Sequence, residues 1–201
     1  MRDPVDLDAG LMLRVQRGDL AAFEELVEKH RQPVMNFICR IVRDASEAED
    51  IAQATFVQVF RCADRYQASA KFTTWLFTIA RNLCLNELRR RARHPAESLY
   101  FAPTENEDAP PKQFPDYKAA APPDELLHAE LIEKVDDALA ALPETQRTAL
   151  LLCREGELSY DEIAGVLGCS VSATKSIIHR GRETLKRALK PYLRTGAWRE
   201  D

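Results

Sequence analysis

The sequence predicts an all-α protein of two small helical domains joined by an acidic, proline-rich linker. Glycine occupies only seven of the 201 positions, and apolar residues recur at helical spacing on both sides of the linker. Hydrophobic residues make up 45% and charged residues 30% of the chain, as is typical of a globular protein. These observations favour helical bundles over a disordered or fibrous chain.

The prolines mark the boundaries between the domains. Seven of the eleven lie between residues 95 and 123, among acids and alanines that have no apolar period. We therefore predict a first helical domain at 1–94, a flexible acidic linker at 95–123 and a second domain at 124–201, which contains a helix-turn-helix.

Helix boundaries can be predicted at three further points. Pro33 should lie in the first turn of a helix or mark a kink. A long helix should run from about Thr73 to Arg91, with Trp75, Leu76, Ile79, Leu83 and Leu88 on its buried side. The last helix should run from about Val171 to Lys190, where Pro191 and Gly196 stop the helical pattern.

The charge is unevenly distributed along the chain. Residues 95–130 hold eight acids and two lysines, a net charge of −6. Because the whole chain carries −4, the remainder carries +2, and its basic residues are concentrated at 89–93 and 175–194. A protein that is acidic overall is therefore predicted to have two local cationic surfaces.

Several classes of function lack support in the sequence. The five cysteines are odd in number, widely spaced and without a C-x-x-C pair, which predicts reduced thiols and a cytoplasmic location. The acidic start MRDPVDLDAG predicts no signal peptide, and no apolar run predicts membrane insertion. The histidines lie far apart and no phosphate-binding glycine loop is present, so we expect no metal, no cofactor and no enzymatic activity.

The segment LSYDEIAGVLGCSVSATKSIIHRGRETLKRAL predicts the helix-turn-helix. Ser159 and Glu162 form a capping box, Gly168 supplies the tight turn and Ser170 caps the second helix. The exposed side of that helix is basic, which suits phosphates and base edges in the major groove. A solvated basic helix within a bundle is the alternative. The candidate DNA contacts are Ser170, Ser172, Lys175, Ser176, His179, Arg180 and Arg182.

A second cationic surface is predicted where the long helix ends in NELRRRAR. Cations at this end would also stabilise the helix dipole, although four arginines exceed that need. Aromatic rings, amides and arginines together suit unstacked single-stranded bases. The candidate contacts are Lys71, Trp75, Asn82, Asn86, Arg89 and Arg90. Taken alone, Trp75 also suits a place in the core.

Four blocks carry a resemblance to the extracytoplasmic function (ECF) sigma factors of bacteria over nearly all of the chain. They are GDLAAFEELVEKH, EDIAQATFVQVF, FTTWLFTIARNLCLNELRRRAR and the segment from ALAALPETQRTALLL through the helix-turn-helix. The resemblance implies that core RNA polymerase and promoter DNA are partners, and that the protein directs promoter recognition and melting. It also implies an anti-sigma factor as a partner.

The resemblance further implies a role for each surface. In the D-x-x-Q-x-x-F helix, Asp50, Gln53 and Phe56 would bind the polymerase clamp, although Phe56 also suits the core. The surface near Asn82 would capture the minus-ten element and the helix-turn-helix would read the minus-thirty-five element. Thr174 and Ile177 depart from the residues usual in the family, which are inward and apolar at the first position and arginine at the second.

Two other classes of function remain open from the residues. The chain could be a stand-alone helix-turn-helix regulator whose N-terminal bundle senses a ligand or dimerises. An enzyme is the third class, and it has the least support. A sigma factor would bind promoters poorly by itself, because polymerase sets the spacing of its two domains, whereas a stand-alone regulator would bind DNA unaided.

Overall fold

The computed structural model describes residues 6–69, 71–93, 123–156 and 158–195. These residues form eight α-helices and one 3-10 turn, Ala63–Arg65, and contain no strand. The predicted all-α fold is confirmed, and the predicted linker, apart from its last residue, lies outside the described residues. The helices are α1 Leu7–Val15, α2 Leu20–Val42, α3 Ala45–Arg61, α4 Phe72–Arg93, α5 Pro123–Ala140, α6 Glu144–Glu155, α7 Tyr160–Leu167 and α8 Val171–Thr195.

Helices α1–α4 form the N-terminal unit around the long helix α2. Asp19 caps α2 by accepting a hydrogen bond from the Ala22 amide at 3.1 Å. Pro33 lies in the interior of α2, so the prediction that it lies in the first turn is wrong. The helix continues because a proline removes only one backbone donor, a loss that a kink can accommodate.

Helix α4 matches the predicted long helix within two residues at each end, and its predicted buried side packs against the core. Leu76 is buried, whereas Trp75, Ile79, Leu83 and Leu88 are half-buried. The buried positions also include Phe72, Phe77, Ala80 and Cys84, which were not predicted. The buried face is wider than predicted because α4 packs against α7 as well as against α2 and α3.

Helices α5–α8 form the C-terminal unit, and its local signals are confirmed. The Ser159 hydroxyl accepts from the Glu162 amide at 3.3 Å, and the Glu162 carboxylate accepts from the Ser159 amide at 2.6 Å. Gly168 has φ +66° at the turn, and Ser170 caps α8 through the Ala173 amide. The predicted end at Lys190 is wrong, because α8 continues past Pro191 to Thr195, the residue before Gly196.

The two units pack against each other. Helix α4 lies on α7, and α2 lies on α5 and α6. Phe77 contacts the backbone at Gly156 so closely that a Cβ atom there would lie 3.0 Å from the ring, and a Cβ at Gly165 would lie 3.4 Å from the Thr74 methyl group. One apolar core therefore runs through both units, in a closed arrangement.

No helix in the described residues combines the length and the apolar character that crossing a bilayer requires. Within the same part of the chain, no three His, Cys, Asp or Glu side chains are grouped so that they could hold a metal ion. The five cysteines are free thiols.

The left-handed backbone at Gly168 gives a stability prediction. Gly168→Ala should destabilise the protein by about 1 kcal/mol, because L-residues with a Cβ disfavour positive φ. A Cβ there would meet no atom within 4 Å, so the cost should come from the backbone alone. Chemical denaturation followed by circular dichroism measures the change.

Gly10→Ala is the matched control, since it also has open space around it but lies within the regular helix α1. Alanine is favoured there by about 1 kcal/mol, so this variant should be stabilised. Equal effects of the two substitutions would contradict the argument.

Candidate nucleic-acid interface

The exposed face of α8 brings all of the predicted C-terminal DNA contacts together. The buried face of α8 carries Thr174, Ile178 and Gly181, which pack toward α6 and α7. A Cβ at Gly181 would lie 3.0 Å from Leu150, so α8 crosses α6 at very short range. The opposite face is solvent-exposed at Ser170, Ser172, Lys175, Ser176, His179, Arg180 and Arg182.

Thr174 is fully buried, as its inward position predicts. Its hydroxyl donates to the Ser170 carbonyl at 3.1 Å and lies 3.2 Å from the Cys169 sulfur. A buried hydroxyl is costly only when it lacks a partner. Thr174 therefore lies inward with its hydroxyl bonded, and Lys175 lies on the exposed side of α8.

The exposed strip of α4 carries the second cationic surface. Asn82, Asn86, Arg89 and Arg93 follow one another at helical spacing, and all four are exposed. With Arg90, the last three line a shallow cleft of about 290 Å³. The strip combines amides with guanidinium groups, as the sequence predicts.

The arginines at the end of α4 divide into two kinds. Arg91 is half-buried, is ion-paired with Glu47 and Glu87, and donates to the Val42 carbonyl at 3.1 Å. It therefore ties α4 to α2 and α3. Arg90 is exposed but forms a two-pronged pair with Glu87 at 2.9 Å.

An aromatic cluster lies beside the loop that precedes α4. The Tyr66 and Trp75 ring centroids are 5.2 Å apart, and the Tyr66 and Phe72 centroids are 6.2 Å apart. Tyr66 and Phe72 are buried, whereas Trp75 keeps part of its surface exposed. Burial raises the pKa of Tyr66 to about 12, so its hydroxyl stays neutral. Trp75 thus packs as the core alternative predicts and still borders solvent.

Helix α1 holds both ends of this loop, a feature that sequence reasoning missed. The Gln16 amide donates to the Ala63 carbonyl at 2.7 Å and to the Tyr66 carbonyl at 2.9 Å. Asp6, just before α1, accepts from the Phe72 amide at 3.0 Å. These partners are 47 to 66 residues apart in sequence, so no local pattern indicates them.

A buried polar network joins α1 to α2 beneath the same loop. Asp8 pairs with His30 at 2.9 Å and with Lys29 at 2.6 Å, and the His30 ring lies 5.4 Å from that of Phe72. Burial lowers the pKa of His30, and the hydrogen bond that Asp8 accepts from the ring offsets this only in part. His30 is therefore mainly neutral at pH 7.

The predicted polymerase contacts on α3 separate into exposed and buried residues. Asp50 and Gln53 are exposed, whereas Phe56 is only 9% exposed and packs in the core, as the alternative for this residue predicts. Val57 and Phe60 are the large apolar side chains that α3 exposes, at 50% and 45%.

Those two side chains extend the α3 surface beyond the predicted motif. The Phe60 ring lies 5.1 Å from that of Phe23, and Leu20, one turn before Phe23 on α2, is 61% exposed. We call Asp50, Gln53, Val57, Phe60, Leu20 and Phe23 the α3 patch. Its signal in the sequence is the spacing of residues 50, 53, 57 and 60, which places them on one helix face.

Lys71 is engaged by the C-terminal unit. Its ammonium lies 2.8 Å from the carboxylate of Glu162 on α7. Burial opposes ionisation of Glu162, but the hydrogen bonds from Lys71 and Ser159 outweigh it and lower the pKa of this carboxyl. A residue predicted to bind DNA is thus paired with an ionised acid of the helix-turn-helix.

Comparisons with known proteins agree with this arrangement of a helical bundle and a helix-turn-helix. Residues 26–94 match sigma-70 region 2, and residues 132–185 match sigma-70 region 4. The RNA polymerase sigma-H factor of Pseudomonas aeruginosa is 38% identical over 93% of this chain and 96% of its own. The ECF RNA polymerase sigma-E factor of Haemophilus influenzae is 32% identical over 92% of this chain and 97% of its own.

A solved structure shares the fold. The sigma factor RpoE of Bartonella quintana, in complex with the anti-sigma factor NepR, superposes with a TM-score of 0.63. The two chains are 24% identical, and the match covers 84% of this chain and 96% of that one.

Together, the two matched regions and the full-length relatives define a bacterial transcription initiation factor. The chain belongs to the sigma-70 family, within its ECF group. It directs RNA polymerase to promoters, and this function replaces the alternative of a stand-alone regulator.

The buried His30 predicts a pH dependence of stability. Its pKa is lower in the folded protein than the value of about 6.5 in the unfolded chain, so the unfolded state binds the proton first. Stability should therefore be complete above about pH 6.5 and fall on acidification, by at most ~1.4 kcal/mol per pH unit for this group.

Denaturation curves between pH 5 and pH 8 test this expectation. In His30→Gln the proton-binding group is absent, so stability should fall less steeply below pH 6.5 than in the unmodified protein. Parallel curves for the two proteins would show that His30 does not cause the effect.

Proposed function

We propose that three surfaces of this sigma factor each bind a different partner. The α3 patch binds core RNA polymerase, the exposed strip of α4 binds the melted minus-ten element, and the exposed face of α8 binds the minus-thirty-five element. The observation that carries the proposal is that two exposed cationic helix faces lie on separate units of one chain. The predicted domains 1–94 and 124–201 would then act as separate promoter-binding modules.

The α3 patch has the composition of a protein-binding hot spot. It combines an exposed aromatic ring, Phe60, and exposed Val57 and Leu20 with the polar groups of Asp50 and Gln53. Interfaces commonly place such apolar anchors at their centre and polar groups around them. In this proposal Phe56 contributes by holding α3 in place, whereas Phe60 makes the contact.

The α4 strip has the chemistry to hold single-stranded DNA. Asn82 and Asn86 can form hydrogen bonds with base edges, and Arg89 can neutralise backbone phosphates. Arg90 would have to exchange part of its pairing with Glu87 for a phosphate. Trp75 borders the strip with its partly exposed ring and offers a stacking surface.

Helix α8 has the geometry of a recognition helix. Its N-terminal turns are exposed at Ser172, Lys175 and Ser176, where a helix in the major groove meets base edges. Arg180 and Arg182 lie farther along, where phosphate contacts hold the helix in register. Ile177 is half-buried and adds no charge to this face.

The proposal includes a regulatory partner. The solved relative RpoE is in complex with an anti-sigma factor, and we propose a partner of that kind for this chain.

We also propose that this chain is a cytosolic protein without catalytic activity. Burial raises the pKa of Cys39 and Cys153, and that of Cys84 to about 12, so these thiols would stay protonated rather than act as nucleophiles.

The two phenylalanines of α3 allow a direct test of polymerase binding. Phe60→Ala should weaken binding to core RNA polymerase by roughly tenfold or more, because it removes an interface anchor of ~2 kcal/mol. Phe56→Ala should instead destabilise the fold by about 3 kcal/mol, because it leaves a cavity in the core. Fluorescence anisotropy with core enzyme and denaturation curves separate the two effects.

Gln58→Ala is the control, because Gln58 is exposed on α3 but points away from the patch. It should bind core enzyme as the unmodified protein does. Normal binding by a folded Phe60→Ala protein would remove Phe60 from the interface.

Substitutions in the two DNA surfaces should impair different steps, promoter melting for α4 and upstream binding for α8. Asn82→Ala should reduce the permanganate reactivity of the melted strand by roughly tenfold, since a lost base contact is worth about 1–3 kcal/mol. Arg180→Ala should weaken binding to the upstream element and lower the slope of log affinity against log salt by about 1. Both are measured with reconstituted holoenzyme on one promoter.

Both variants should bind core enzyme normally, since neither residue belongs to the α3 patch. The assignment would be wrong if Asn82→Ala melted the promoter as well as the unmodified protein does, or if Arg180→Ala left the salt slope unchanged.

A further inference from the structure

A further group of exposed arginines lies where the end of α1 meets the turn after α3. Arg17 comes just after α1, Arg61 is the last residue of α3, and Arg65 ends the 3-10 turn. All three side chains are exposed. We call Arg17, Arg61 and Arg65 the arginine triad. None of the three is among the contacts predicted from the sequence, because Arg17 lies far from the other two in the chain.

Two hydrogen bonds from Gln16 bring the triad together. The Gln16 side-chain amide donates to the Ala63 carbonyl at 2.7 Å and to the Tyr66 carbonyl at 2.9 Å. Arg65 lies between these two acceptors in the chain, and Arg17 is the residue after the donor. The backbone is thus fixed on both sides of the triad. Groups that are held in place before binding lose less conformational freedom when a ligand binds.

The charge of the triad is not balanced by ion pairs. Among the residues that the structure describes, no member of the triad forms an ion pair, whereas nearby Arg14 pairs with Asp19 at 2.8 Å. The acid within the turn is Asp64, which is exposed. Three guanidinium groups and this one carboxylate leave a local net charge of +2. A local excess of exposed cations favours an anionic partner.

The triad continues the surface that begins on the exposed strip of α4. Arg65 directly precedes Tyr66, and the Tyr66 ring centroid lies 5.2 Å from that of Trp75. Asn82 and Asn86 follow Trp75 by close to two and three helical turns, so the three residues share one face of α4. A strand of DNA that follows the strip past Trp75 therefore comes next to the triad.

The chemistry of the triad suits the backbone of single-stranded DNA. Guanidinium groups form two-pronged, charge-assisted hydrogen bonds with phosphates. Proteins hold single strands by combining cations along the backbone with rings on which bases stack. The α4 strip supplies amides for base edges and the ring of Trp75, and the triad supplies further cations. Charge alone would also allow an acidic protein surface, but the continuity with the strip favours DNA.

We propose that the arginine triad is a further DNA-binding surface, which binds backbone phosphates of the melted strand on the other side of Trp75 from Asn82. The inference rests on the proposed function, because it assumes that the α4 strip binds the melted minus-ten element. Contacts with phosphates carry no sequence information, so the triad would add affinity and leave the choice of bases to α4.

The salt dependence of binding to single-stranded DNA tests the proposal. For single strands, log affinity falls with log salt by about 0.7 for each phosphate that a cation neutralises. Arg17→Ala combined with Arg65→Ala should therefore lower this slope by about 1.4. The measurement is fluorescence anisotropy of the full-length protein with a labelled oligothymidine of about 20 nucleotides, since phosphate contacts need no particular sequence.

The slope separates a lost charge from a damaged fold. The difference in slope implies that the affinity lost in the double alanine variant should shrink by roughly sevenfold between about 50 mM and 200 mM salt. A variant with a damaged fold would bind less at every salt concentration and keep its slope. Arg17→Lys combined with Arg65→Lys retains both charges, so it should keep the slope of the unmodified protein.

Two single variants complete the experiment. Arg31→Ala is the matched control, because Arg31 is an exposed arginine of the N-terminal unit outside the triad and the α4 strip, and it should leave the slope unchanged. Arg89→Ala removes a cation of the α4 strip and should lower the slope by about 0.7. An unchanged slope in the double alanine variant would overturn the inference. The α4 assignment would still stand if Arg89→Ala lowered the slope, and would fail as well if it did not.

Binding to core RNA polymerase distinguishes DNA from a protein as the partner of the triad. The double alanine variant should bind core enzyme as tightly as the unmodified protein does, because neither arginine belongs to the α3 patch. If it bound core enzyme less tightly and kept its salt slope on the oligonucleotide, the triad would be a polymerase contact, and the proposal would be wrong.

Discussion

Helix α4 must bury apolar side chains toward several neighbours at once, and the rest of the structure depends on this constraint. Phe72 and Phe77 are fully covered, as is Cys84, because α2 and α3 pack on one side and α7 on another. A helix enclosed over so wide an arc leaves only a narrow strip in contact with solvent. The strip from Asn82 to Arg93 is where α4 can still meet a partner.

Ion pairs with acidic side chains determine which cations are available to bind DNA. Glu47 and Glu87 pair with Arg91, whereas within the described residues Arg180 on α8 forms no ion pair, and the nearby Glu183 pairs with Lys186. The net charge of −4 conceals this division, because most of the excess acid lies in residues 95–130. For such a chain, local pairing is a better guide to nucleic-acid binding than total charge.

Local features of this fold could be predicted from sequence, and long-range ones could not. The capping box at Ser159, the turn at Gly168 and the limits of α7 follow from backbone preferences that act within a few residues. Pro191 failed as a stop signal because the preference of a single residue does not outweigh the packing of a long helix.

The same distinction applies to the candidate site. The exposed residues of α8 were predictable because a single helical period separates its two faces. The burial of Phe56 and the exposure of Phe60 depend on how α3 is rotated against α2, which the spacing of a motif does not specify. The pairing of Lys71 with Glu162 depends on how two units meet, 91 residues apart in the chain.

The role of α1 has a consequence for the boundaries of the functional unit. The match to sigma-70 region 2 begins at residue 26, yet Gln16 and Asp6 lie before it and secure the loop that leads into α4. A protein trimmed to residues 26–94 would keep Tyr66, Phe72 and Trp75. It would lose the hydrogen bonds from Gln16 and to Asp6 that fix the backbone of this loop. The loop beside the minus-ten surface would lose these anchoring hydrogen bonds, although every residue expected to touch the minus-ten element through α4 would still be present.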